Sequence, residues 1–176
     1  MMTLRNHIEQ ARRPCFGVAS NYGQRTPRIT FPTPMTSIWK QPASVELLTA
    51  LHVGTTVAHL GIEFLEVGPD FIRARAPVDA RTRQPMGILH GGISVLLAET
   101  IGSCGAVCAA PVGHRAVGLD INANHLRSAS EGWVTGTGRP VHIGRTTQVW
   151  QIDMTDDSGK LTCVSRITMA ILTPSK

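Results

Sequence analysis

Cysteine is scarce and unpaired in this 176-residue chain: Cys15, Cys104, Cys108 and Cys163 show no CxxC spacing. A disulfide framework and a CxxC metal or redox centre are therefore not written here, and the reading is a protein of a reducing, cytoplasmic compartment. Cys104 and Cys108 stand one helical turn apart in an apolar run, where small core thiols are expected. Also missing is any run of about 18 uncharged apolar residues, because Glu99 interrupts the one candidate, so a soluble protein with no membrane partner is expected. The seven histidines include no pair at metal spacing with a carboxylate, and no metal is predicted. Ser94 lies in Gly92-Ile93-Ser94-Val95-Leu96, which is not a nucleophile elbow. Gly136, Gly138 and Gly144 fit neither a Walker loop nor a dinucleotide fingerprint, and no cofactor is expected.

The net charge of +5 invites a nucleic-acid reading until it is located along the chain. Residues 1–35 carry Arg5, Arg12, Arg13, Arg25 and Arg28 against the single acid Glu9, so the remainder is nearly neutral. A basic binding surface across the whole molecule is therefore not expected, and no nucleic-acid partner is predicted. Pro14, Pro27, Pro32 and Pro34 fall in the same segment, which has no sustained period and reads as a disordered extension. Residues 36–176 read as one domain, and 42% hydrophobic residues suffice for its core.

From Ser44 onward the pattern is regular. Ser44 ahead of Val45, Glu46, Leu47 and Leu48 predicts a capped helix to about Val53, with a second short turn through His59. Ile62–Val67 and Phe71–Val78 flank Gly68-Pro69-Asp70 and predict a hairpin. Four further strands are expected over Ala116–Ser128, Gly132–Val141, Thr146–Asp156 and Leu161–Leu172. The order places one long apolar helix against an antiparallel sheet of about six strands, an α+β layer.

That helix is the informative element. In Met86–Ser103, MGILHGGISVLLAETIGS, it is expected to begin at Gly91 or Gly92. Ile93, Leu96, Leu97, Thr100, Ile101 and Cys104 share one side. Glu99 lies on the other with Gly92 and Ser103, flanked by Val95, Ala98, Gly102 and Ala106. An ionised carboxylate among small residues must lose water or find donors, so a substrate or a second chain is expected to approach this face. First-turn N–H groups lack internal partners, and a glycine there can bring one against a carbonyl oxygen and stabilise charge developing on it. Glu99 lies about 10–12 Å along the axis from that glycine. The spacing predicts a site shared by two chains, hence a homodimer.

The run HGG, followed by Ala98-Glu99-Thr100-Ile101-Gly102-Ser103, resembles the hotdog-fold acyl-CoA thioesterases. SIWKQ, PVDARTRQPMGILHGG, VGLDINANHLRSASEG and RPVHIGRTTQVWQI extend the resemblance from about Ser37 to Leu172. They point to the branch holding the 1,4-dihydroxy-2-naphthoyl-CoA thioesterase of menaquinone synthesis and the enterobactin proofreading thioesterase. The resemblance implies a six-stranded sheet wrapped around the helix, hydrolysis of an aromatic acyl-CoA or carrier-protein thioester, CoA as part of substrate and product, and a dimer of dimers. By position it implies Glu99 as nucleophile or general base, Gly91 as the oxyanion donor, His90 orienting the thioester, Gln84 contacting the reacting group, and Ser103 bonding the carboxylate or water. CoA would run along Gly118, along His125, Leu126, Arg127 and Ser128, and along the turn His142, Ile143, Gly144, Arg145, Thr146 and Thr147. Arg127 and Arg145 suit phosphates through their forked donors.

Other readings stay open. His90 also reads as a helix cap, Ser103 as packing, Gln84 as a loop-positioning residue, and the arginines as solvated surface. A hotdog dehydratase or hydratase and a non-catalytic acyl-CoA sensor are the competing functions.

Overall fold

The computed structural model describes residues 36–174; the basic extension predicted over 1–35 lies outside them. Helix α1 (Val45–Leu51) starts where Ser44 accepts a hydrogen bond from the Leu47 N–H, and α2 (Thr56–His59) follows. Strands β1 (Glu63–Val67) and β2 (Ile72–Pro77) form the expected hairpin, with the Gly68 N–H donating to the Phe71 carbonyl. Helix α3 (Gly91–Ala109) is the long apolar run, and β3 (Arg115–His125), β4 (Trp133–Ile143), β5 (Thr147–Asp156) and β6 (Leu161–Leu172) complete the chain. All pairings are antiparallel in the order β1-β2-β4-β5-β6-β3, one six-stranded sheet with α3 packed on its inner face. This is the hotdog arrangement. By length and composition α3 would pass for a membrane span even with Glu99 in it, but most of it is buried against the sheet.

The helix is seated by size as well as by hydrophobicity. A methyl group at position 105 would stand 2.7 Å from the Trp150 ring, and one at 102 would run into Ile167 Cγ2. The fit is reciprocal, because Ile101 fills the space left by Gly136 and Gly138 on β4. Gly105 thus accepts the largest fully buried side chain of the sheet.

This corrects the expected facing of α3 at its borders, while Leu97, Thr100, Ile101 and Cys104 are buried as expected and Glu99 with Gly92 and Ser103 lies on the less covered side. Ala98, Gly102 and Ala106, predicted to border an open face, are fully buried, whereas Ile93 and Leu96 are only partly covered. The helix is turned by about a quarter revolution from the side that its large residues suggest. The physical reason is that bulky side chains already project from the sheet, and close packing requires small ones opposite. The least covered arc is that of Gly92, Val95, Leu96, Glu99, Ser103 and Val107.

One prediction arises here. Gly102→Ala gains up to about 1 kcal/mol in helix propensity. It also overpacks a stiff β-branched neighbour, which costs about 1–3 kcal/mol. The contact is close enough that overpacking wins, and urea unfolding is expected to show a net loss of about 2 kcal/mol. A stabilised variant would mean that this face is not tightly filled.

Candidate active site

The start of α3 is built by the loop between β2 and α3. Thr82, 1% exposed, ties it to the sheet: its hydroxyl donates to the Pro77 carbonyl at 2.6 Å and accepts the Asp79 N–H at 2.9 Å. Its carbonyl in turn accepts the His90 N–H at 2.8 Å. The hinge of this loop is Gly87, at φ 79°, a left-handed conformation that favours glycine. Gln84 Oε1 accepts the Met86 N–H at 2.7 Å, which leaves its Nε2 group free to donate.

His90 caps the helix, its Nδ1 accepting the Gly92 N–H at 2.9 Å. The neutral ring therefore carries its proton on Nε2. This bond also separates the two glycines. The Gly92 N–H is engaged, while the Gly91 N–H has no partner among the described residues and lies at the positive end of the helix. Gly91 also borders His125, since a Cβ at 91 would stand 2.9 Å from its Nε2.

Gln84, Gly91, His125, Leu126, Arg127 and Ser128 line one cleft of about 310 Å³. Arg127 is held in it by a bond to the Leu161 carbonyl at 2.8 Å. Arg83, which sequence reasoning did not single out, pins the opposite rim through the Ser130 carbonyl at 2.9 Å.

Glu99 is half-buried further along the open arc, with its carboxylate against Gly118 of β3. Ser103, one turn on, is not hydrogen-bonded to it and lines a second, mainly apolar cleft of about 330 Å³ between α1 and α3. Leu47, Leu51, His52 and Val107 form its other walls. Sequence reasoning missed the α1 contribution; the recurrence of Leu47, Leu48, Leu51 and His52 at helical spacing was its one signal. Burial pushes the Cys104 thiol up to about 12 and also raises Cys108, so these thiols present apolar surface rather than nucleophiles.

The structure does not bring the whole expected CoA track together. His125 to Ser128 sit beside Val134 at the start of β4, while His142 to Thr147 form the turn at its far end, about 30 Å away by strand rise. Gly118 lies at Glu99 and does not line the first cleft. The far turn is tight: the Gly144 N–H donates to the Thr147 carbonyl, and a Cβ at 144 would meet His142 Nε2 at 2.6 Å.

A family model described as the thioesterase superfamily matches residues 86–163. The 1,4-dihydroxy-2-naphthoyl-CoA hydrolase of Escherichia coli is 50% identical over 135 residues, covering 77% of this chain and 99% of the relative. The chain belongs to the thioesterase superfamily. This thioesterase is also 45% identical over 135 residues to the proofreading thioesterase EntH of Cronobacter turicensis, across 77% of this chain and 98% of the relative. Among solved structures, a thioesterase from Haemophilus influenzae superposes with a TM-score of 0.77 at 48% identity, covering 79% of this thioesterase and 97% of that chain. The chain is a thioester hydrolase with the hotdog fold.

Proposed function

We propose that this thioesterase hydrolyses an aromatic acyl-CoA, of the 1,4-dihydroxy-2-naphthoyl or hydroxybenzoyl kind, to the free acid and CoA in a site shared by two copies of the chain. The observation that carries the reading is the separation on α3: the free Gly91 N–H and the Glu99 carboxylate lie eight residues apart, about 12 Å along the axis. One carbonyl cannot meet both within one chain. In the shared site the Gly91 N–H of one copy polarises the thioester oxygen while Glu99 of the other either draws the proton from an attacking water or attacks the carbonyl carbon itself, in which case water then cleaves the Glu99–acyl anhydride to release the acid and restore the carboxylate. The C–S bond breaks, and the CoA sulfur leaves as thiol once it takes up a proton. Gln84 Nε2 donates toward the reacting group. Two copies also resolve the divided CoA track, since opposite ends of the sheet then border one ligand.

The unpaired outer edge of β3, with Val117 at 46% and Leu119 at 61% exposure, supports self-association, because a long apolar edge invites another strand. The second cleft supports the acyl assignment. Its volume is at the small end of ligand pockets, about 300–1,000 Å³. His52 commits Nδ1 to the Leu48 carbonyl at 2.7 Å, leaving Nε2 to accept from a ring hydroxyl. A dehydratase pairs a loop histidine with the helix acid, whereas here His90 is engaged as a cap nine residues from Glu99. The relative named 1,4-dihydroxy-2-naphthoyl-CoA hydrolase agrees with an aromatic acid.

The test is a thiol-release screen over aromatic and aliphatic acyl-CoAs and a carrier-protein thioester. Aromatic CoA thioesters are expected to lead by at least about tenfold in kcat/KM. Equal rates on long aliphatic chains, or double-bond formation without thiol release, would overturn the reading.

A further inference from the structure

We propose that Gly118 is a positioning residue whose missing side chain forms the socket for the Glu99 carboxylate. The inference rests on the reading of Glu99 as the reacting group. An ordinary side chain at 118 would put its Cβ 2.7 Å from Glu99 Oε1 and 3.6 Å from Cδ, so the carboxylate occupies the volume that the glycine leaves empty. Glu99 has no hydrogen-bond partner among the described residues. Its position is therefore set by packing, and Gly118 is the wall.

The backbone of β3 is arranged to supply that wall. Gly118 pairs with Met169 and Asp120 with Thr168, leaving Leu119 as an extra residue in a bulge. Before the bulge Ala116 and Gly118 face the helix; after it Ile121, Ala123 and His125 do. Without the extra residue the alternation along the strand would run on unbroken, and Gly118 and His125 would fall on opposite faces. The bulge thus lets one strand present Gly118 to Glu99 and His125 to Gly91. Bulges re-aim side chains in this way beside active sites.

The chemistry of the clash predicts its signature. The atom that a new methyl group meets is the far end of a flexible side chain, so Glu99 swings aside and the fold is spared. A displaced carboxylate, however, no longer meets the carbonyl, and a misplacement near 1 Å costs about 10²-fold in rate.

The experiment is steady-state kinetics of Gly118→Ala on the best aromatic acyl-CoA, with its melting temperature and a Glu99→Gln control. A kcat lower by about 10- to 100-fold, with KM nearly constant and melting temperature retained, is expected. A raised KM with unchanged kcat would place Gly118 on CoA instead and overturn the socket. So would wild-type kinetics or loss of the fold, because the proposal requires Glu99 to absorb the clash. An active Glu99→Gln would remove the underlying reading of Glu99, whereas an inactive control beside a fully active Gly118→Ala would sink the socket alone.

Discussion

Replacing Glu99 by alanine is expected to lower turnover by about 10²- to 10⁴-fold, the span that a positioned carboxylate contributes as base. The same change is expected to leave folding almost untouched. Glu99 is half-buried on the least covered arc of α3, against Gly118 of β3, and it makes no ion pair among the described residues. Removing it leaves no unsatisfied partner, which is what usually makes loss of a buried charge destabilising. Urea unfolding and CoA titration beside the rate measurement separate the two effects. A variant with wild-type turnover would remove the carboxylate from the reaction, and one that lost turnover only by unfolding would make it structural.

Gly91→Ala is expected to cost about 10²- to 10³-fold in kcat, the typical effect of losing one donor to a developing oxyanion. The donor itself survives the change. What the methyl group does is stand in front of it, 2.9 Å from His125 Nε2, where the thioester oxygen must approach. The two variants together test the shared site. When Glu99→Ala and Gly91→Ala chains are co-expressed, a mixed dimer holds one site with both defects and one with neither. Random pairing then restores about a quarter of wild-type activity. If each chain housed a whole site, the mixture would stay as inactive as its parts.

Much of the fold was legible because its signals are local. The Ser44 cap, the Gly68-Pro69-Asp70 turn and the glycine pair that opens α3 each depend on a few neighbouring residues, and every element predicted from Ser44 onward is present. The facing of α3 was legible only in part: Leu97 and Ile101 are buried as the hydrophobicity pattern marks them, but Ala98, Gly102 and Ala106 are buried too, which such a pattern does not mark. Burial of the small residues follows volume against Trp150 and Ile167, which lie far along the sequence. The loop held by Thr82 was equally hidden, because a threonine in a polar stretch gives no sign that its hydroxyl bridges Pro77 and Asp79. The candidate residues themselves were named from sequence, yet their division between two ends of the sheet needed strand order and register.

The two helices that flank the apolar cleft have different tolerances for change. The α3 side is interlocked with the sheet through Gly102, Gly105, Gly136 and Gly138, so a side chain added at any of them disturbs the seat of the helix. The α1 side is a seven-residue helix anchored by one fully buried residue, Leu48, with Leu47 and Leu51 facing the apolar cleft. The cleft can thus change shape over generations through α1 while the seat of α3 is inherited intact.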